Sequence, residues 1–273
     1  MSSALDRYKK AEDPISEKML AWMLTGAGWE SLGEDDCPVE VPVPRPGAEE
    51  LLVRTDACGL CFSDVKILRA GGDHPRLRGH NLKEEPVIMG HEVAVTVVDV
   101  GETLQGQYRV GQRFTIQPDV YYQGVGLAYG YVLPGALAQY SLIGKEILHG
   151  DEGSYLLPLR DEDGYAEAAL AEPWACVEAS CHLAYRNCPR IGGNLWLIAA
   201  GGTLSESGWR WLAQAKPIRV TLSGLASEQI AQAQATLAAN GANLQQVPMD
   251  AISEGPFDDI IILGAQRPEA IES

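Results

Sequence analysis

Cys61, His91 and Glu92 are the residues of this chain best suited to hold a divalent metal. They lie in "CGLC" (Cys58–Cys61) and "GHE" (Gly90–Glu92). A catalytic zinc takes three protein ligands of nitrogen, sulfur or oxygen type and keeps an open position for water or substrate. One thiolate, one imidazole and one carboxylate would satisfy that. A second acid, Glu172 in "AEPW", opens a helix further along. Each feature alone has a plainer reading. Cys58 and Cys61 read equally as two buried thiols or a redox pair. A lone His–Glu step is usually a surface pair or a satisfied buried histidine, and Glu172 is also an acid favoured by the helix dipole. Their joint occurrence, in order, with a change of texture just after Glu172, favours the metal.

The elements that must position these residues differ between the two parts of the chain. From Ala21 onward, short apolar runs are broken by Gly and Pro, as in "EELLVRTDACG", "HEVAVTVVDVG" and "VGQRFTIQP". That is the texture of a β-rich domain. The strand over Val93–Val100 is apolar almost throughout, which predicts burial on both faces. The first twenty residues read as a mobile arm or a short surface helix. Around Gly164 the sequence becomes Ala-rich, and "YAEAALAEPWACVEASCHLAYRN" predicts helix after Pro173. Then strands ("NLWLIAAGG", "IRVTLSG", "NLQQVPM", "FDDIIILGA") alternate with helices ("SESGWRWLAQA", "SEQIAQAQATLAANGA"). Such alternation indicates a parallel sheet built from crossover units. The fold class is therefore α/β, with a β-rich domain over 1–180 and an α/β domain over 181–273.

Composition narrows the function. The 273 residues are 46% hydrophobic and 21% charged, with a formal charge of −16. That argues against a nucleic-acid surface, which needs clustered Lys and Arg. No apolar run approaches a membrane span, and the N-terminus lacks a signal-peptide apolar region. The six cysteines are sparse and irregular, which suits reduced thiols or metal ligands rather than a disulfide framework. These features predict a cytoplasmic protein handling small molecules, with no nucleic-acid or membrane partner. Homo-oligomer formation stays open.

The ordered set "GLCFSDV", "PVIMGHEV", "VGQRFTIQP" and "AEPWACVEASCHL" resembles the zinc-containing medium-chain dehydrogenases, the superfamily of alcohol, sorbitol and threonine dehydrogenases. It is nearest the sorbitol dehydrogenase and sorbose-phosphate reductase branch. The resemblance runs from about Ala21 to the C-terminus and is strongest from Leu51 to Tyr185. It implies a chaperonin-10-like catalytic domain followed by a Rossmann-type domain. It maps zinc ligands onto Cys61 and His91, with Glu92 or Glu172 as the third. Ser63 matches a hydroxyl that relays the proton of a substrate alcohol, and Asp64 an acid that orients the site. The implied reaction moves hydride between NAD or NADP and an alcohol, polyol or sugar derivative. Many relatives carry a structural zinc on four close cysteines; here residues 117–140 contain none, so one zinc site is expected at most. The tyrosines of that segment either pack a lobe or meet substrate.

The second domain fits the resemblance less well. A dinucleotide turn wants G-x-G-x-x-G, so that backbone can approach the pyrophosphate. Here Gly201, Gly202 and Gly208 are irregularly spaced, with Leu204 and Glu206 where phosphate needs room. At the end of the next strand, Ser223 and Gly224 stand where an acid would bind ribose. Gly201, Gly202, Ser223 and Gly224 are the candidate cofactor positions. The last strand resembles the fourth of six, so the Rossmann-type domain reads as incomplete at its C-terminus. The competing expectation is an impaired relative that binds metal or serves as a scaffold subunit.

Overall fold

The β-branched run after His91 becomes the middle of an antiparallel sheet. The structure, a computed structural model, describes residues 3–77, 79–183, 186, 188–199, 201–249 and 255–264. It divides into two compact units, Met1–Cys176 and Val177–Ser273.

In the first unit the elements are α1 (Ala4–Lys9), β1 (Lys18–Ala21), β2 (Met23–Leu24), β3 (Val39–Pro42), β4 (Leu51–Gly59), α2 (Phe62–Ala70), β5 (Val87–Ile88), β6 (Glu92–Val100), β7 (Arg113–Ile116), β8 (Tyr121–Tyr122), β9 (Val125–Gly126), β10 (Tyr140–Ile143), α3 (Lys145–Leu148), β11 (Leu156–Pro158) and α4 (Tyr165–Ala169). The main sheet has the order β10-β4-β6-β7-β11, with antiparallel pairing throughout. Three two-stranded sheets, β1-β3, β2-β5 and β8-β9, complete the unit's described strands.

Strand β6 is buried on both faces because its two alternating sets of side chains meet different layers. Val93, Val95 and Val97 join Leu51, Val53, Phe114, Ile116 and Tyr129 in the main core. Ala94 faces the other way, onto Ala168 and Ala169 of α4. Small residues on both sides let the helix lie close. Burial lasts to Val97; Val98, Asp99 and Val100 emerge toward solvent, so the predicted two-sided burial covers the first two thirds of the strand. The predicted arm contains a short helix, α1, whose Tyr8 lies against the Arg54 guanidinium of β4, 3.6 Å from its ring centre.

Helix α5 (Ala171–Leu183) crosses the division between the units. It starts two residues before Pro173, which is tolerated because a first-turn N–H has no partner within the helix. Positions 184, 185 and 187 of the predicted helix lie outside the described residues.

The second unit contains β12 (Asn194–Ala199), α6 (Glu206–Gln214), β13 (Arg219–Ser223), α7 (Ser227–Thr236), β14 (Asn243–Gln246) and β15 (Asp259–Leu263). The strands pair in parallel, in the order β14-β13-β12-β15. The first strand is thus central and the chain moves outward on both sides, as in the first four strands of a dinucleotide fold. Leu195, Leu197, Val220 and Leu222 of the sheet pack with Trp209 and Leu212 of α6 and Ala233 of α7. Among the described residues no helix is long and apolar enough to cross a membrane.

Candidate functional site

Strand pairing brings the two metal motifs together. In the β4–β6 register Gly59 lies opposite Glu92 and Cys58 opposite Val93. The end of one strand and the start of its neighbour therefore hold Cys61, His91 and Glu92 at one place. Their donor atoms all lie within 4.8 Å of one another. His91 and Glu92 are both 5% exposed, so their polar atoms depend on one another or on a bound group.

Asp64 ties the two motifs. One oxygen accepts the Cys61 backbone N–H at 2.9 Å, and the other accepts the Gly90 N–H at 3.3 Å. The same carboxylate lies 3.6 Å from His91 Nδ1, beyond hydrogen-bond range. That nitrogen has no hydrogen-bond partner. With Nδ1 on the Asp64 side, Nε2 is the nitrogen left for a metal. Burial lowers the affinity of His91 for its proton, but Asp64 and Cys61 outweigh it and raise the pKa to about 9. Gly90 makes the approach: its φ is +91°, and a Cβ would stand 2.8 Å from Cys58 Sγ and 2.9 Å from the Leu137 backbone nitrogen. No other residue fits there without displacing a strand.

Cys58 is set apart from this cluster. Burial, then the Asp64 and Glu92 carboxylates, push its thiol up to about 12, so it stays protonated and bonds the Gly59 carbonyl. Glu172 does not join the cluster either. It accepts the Cys176 thiol at 3.4 Å, one helical turn on. The Cys176 thiol is raised first by burial and then by Glu172, with Cys61 among the weaker contributors. The start of α5 thus stays outside the group formed by Cys61, His91 and Glu92.

Ser63, in the first turn of α2, has its hydroxyl 3.5 Å from Cys61 Sγ. Tyr131 is a site residue that sequence reasoning did not single out. It is 8% exposed, and its ring packs against His91 with centres 5.8 Å apart. Its only sequence signal was membership of the Tyr/Gly-rich segment, where nothing separates it from Tyr129, which fills the main core.

In the second unit, the turn after β12 is shaped by backbone contacts. Gly201 has φ +86° with open space around it. Gly202 lies against the end of β15, where a Cβ would stand 2.4 Å from the Gly264 nitrogen. Ser205 caps α6 by accepting the Gly208 N–H, and Gln229 of α7 accepts the Leu204 N–H at 2.8 Å. The two side chains expected to crowd a phosphate do not stand over the turn. Leu204 packs onto the helical core, and Glu206 is exposed and paired with Arg210 at 2.6 Å.

The candidate ribose positions have these surroundings. The Ser223 hydroxyl is buried and accepts the Trp196 indole N–H at 3.0 Å, so its side chain serves the sheet. Gly224 has φ +71°, and a Cβ there would meet the Ala199 carbonyl at 2.3 Å. No acid can stand at that position in this backbone.

The alcohol dehydrogenase GroES-like domain family matches residues 47–150. The chain is 30% identical over 240 residues to mannitol-1-phosphate 5-dehydrogenase of Aliivibrio fischeri, covering 83% of this chain and 56% of that protein. It is 28% identical over 181 residues to L-sorbose 1-phosphate reductase of Klebsiella pneumoniae, covering 63% and 43%. The chain thus spans about half the length of these relatives. A zinc-binding dehydrogenase of Sinorhizobium meliloti bound to NADP superposes with a TM-score of 0.56 at 21% identity, over 94% of this chain and 72% of that one, and shows the shared fold. Motif order, sheet topology and these similarities agree: the chain belongs to the zinc-type medium-chain dehydrogenase/reductase superfamily.

Proposed function

We propose that this chain carries the metal-binding domain and the dinucleotide-type sheet of a zinc-dependent, NAD(P)-linked oxidoreductase acting on an alcohol, polyol or sugar derivative. The observation that carries the reading is the buried meeting of Cys61, His91 and Glu92. A thiolate, imidazole and carboxylate suit zinc, and the unpartnered His91 Nδ1 beside Asp64 suits a ring held for ligation through its other nitrogen. The names of the two relatives support a dehydrogenase or reductase of sugar alcohols or ketoses.

The chain's own residues have distinct parts in that reaction. Cys61, His91 and Glu92 would hold one zinc. When bound, zinc and a nicotinamide supply polarisation of the substrate oxygen and hydride exchange at the adjacent carbon. Asp64 holds the Cys61 and Gly90 backbones and lies beside the His91 ring, so the ligands are brought close before anything binds. Ser63 Oγ would relay the proton of the substrate hydroxyl, accepting it as it passes its own proton on to solvent, beside the Cys61 thiolate. Gly201, with open space around it, leaves room for a pyrophosphate at the start of α6. With Gly224 closed to any side chain, the ribose loses one reason to favour NAD over NADP.

Cobalt(II) titration tests the assignment directly. About one ion per chain is expected by three-ligand logic, with thiolate-to-metal absorption that vanishes in Cys61→Ser and His91→Ala. Ser63→Ala should keep the metal and lower turnover of a polyol by roughly 10²–10⁴. Tight metal binding retained in the Cys61→Ser, His91→Ala double variant would remove this centre from consideration.

A further inference from the structure

Tyr131 is flanked by more than the candidate ligand. The His74 ring lies 5.6 Å from its centre, and the Arg76 guanidinium 5.1 Å from it. The His91 ring is 5.8 Å from the same Tyr131 ring. Arg76 is therefore separated from the three-residue cluster by a single aromatic side chain. In a chain of formal charge −16, a cation so close to the reacting position needs a reason.

We infer that Arg76 binds the phosphate of a phosphorylated polyol or sugar whose reacting carbon lies at the Cys61–His91–Glu92 cluster. This rests on the catalytic reading of that cluster. Four observations support it. Arginine presents a fixed fork of donors that matches phosphate oxygens. Arg76, with Asp119, Val120, Tyr121, Gly126 and Ala128, lines a small cavity of about 150 Å³. That space is large enough to take a phosphate group together with water. A polyol, at about 1.5 Å per carbon–carbon bond, can cross the breadth of one tyrosine between its reacting carbon and a terminal phosphate. Finally, Lys66 lies on the same helical face as Ser63, one turn on. Burial first, then Arg76 and Lys66, make His74 harder to protonate, which shows positive potential on this side of Tyr131.

Asp119 opposes the phosphate and defines the arrangement. Its carboxylate meets Arg76 Nη1 at 2.6 Å, with both side chains about half exposed. That contact engages one of the five guanidinium donors and leaves others for an anion. It also repels the anion, so the pair sets a moderate affinity.

The test is calorimetric and ³¹P NMR titration of the whole chain with mannitol 1-phosphate, mannitol, gluconate and inorganic phosphate. Mannitol 1-phosphate should bind roughly tenfold or more tightly than mannitol, the weight of one charge-assisted contact. Inorganic phosphate should compete with it. Arg76→Met should remove the preference, Arg76→Lys should keep part of it, and Asp119→Asn should tighten binding. Equal affinity for mannitol, a preference for gluconate, absence of mannitol 1-phosphate binding, or an unchanged preference in Arg76→Met would each overturn the inference. Cobalt titration without sugar separates the two readings. Metal loss with phosphate binding intact defeats the catalytic reading alone, and metal retention without phosphate preference defeats this one.

Discussion

The two units specify their candidate sites by different means. In the first, side-chain chemistry does the work: three donors of three kinds converge, and a buried carboxylate clips their backbones together. In the second, the turn after β12 presents hardly any side chain. Gly202 and Gly224 are there because neighbouring backbone leaves no room for a Cβ, and Gln229 reaches across from α7 to hold the Leu204 peptide. A site made of donors can lose one member and keep its fold. A site made of backbone approach loses fold and site together. The first unit should therefore respond to substitution through metal affinity, and the second through stability.

Gly202→Ala should give the largest effect. A Cβ at 2.4 Å from the Gly264 nitrogen and 2.5 Å from the Leu263 carbonyl carbon must push backbone, not a flexible side chain. Overpacking of this kind costs about 3 kcal/mol. Gly201→Ala, with nothing within 4 Å and only its positive φ to pay for, should cost about 1 kcal/mol. Chemical denaturation followed by Trp fluorescence measures both, and cobalt binding in the first unit should survive each. Equal costs for the two variants would mean that conformation, not crowding, fixes this turn.

The same contrast explains what could be read in advance. Cys61, His91 and Glu92 were legible because thiol, imidazole and carboxylate are rare enough in combination to be noticed, and a strand adjoins each motif, β4 ending at Gly59 and β6 beginning at Glu92. The parallel sheet followed from the alternation of strands and helices, whereas the strand order came from the structure. Glu92 and Glu172 stayed open as the third ligand because chemistry alone does not show that Glu92 stands beside Cys61 and His91 while Glu172 accepts the Cys176 thiol. Tyr131 was hidden because its role depends on which of several tyrosines turns toward His91, and that is settled by loop geometry rather than residue type. Leu204 and Glu206 looked obstructive in a linear reading, yet the helix that begins at Glu206 turns one toward the core and the other toward Arg210. Gly224 looked like the loss of an acid; the Ala199 carbonyl shows that the backbone excludes one.

Asp64→Asn probes the first unit with a smaller expected effect. The substitution keeps shape but replaces one acceptor oxygen by a donor, so either the Cys61 or the Gly90 N–H loses its partner. The amide also no longer attracts the His91 ring. Removing such an orienting group lowers metal affinity by roughly 10–100-fold, about 1.4–2.7 kcal/mol. Competition with a chromophoric chelator measures it, and dinucleotide titration on the same variant should be unchanged. Wild-type metal affinity in Asp64→Asn would show that the ligands hold themselves in place, and the distinction between the units would weaken.

The smallest effect is expected from Ser223→Ala, and it separates two roles for one residue. By position, Ser223 ends the strand from which a dinucleotide fold reaches the adenosine ribose. By contact, its hydroxyl is 2% exposed as a residue and accepts the Trp196 indole N–H across the β12–β13 pair. If the contact is what matters, the variant leaves the indole N–H of a half-buried tryptophan without its acceptor. Stability should fall by about 1 kcal/mol, the usual net worth of such a bond. Trp fluorescence should report the change locally, because the indole is one of the two groups involved. Affinity for NADH and NADPH should not move. A loss of dinucleotide affinity without a loss of stability would reverse the assignment and return Ser223 to the cofactor, making the second unit's site, like the first, one of side-chain donors.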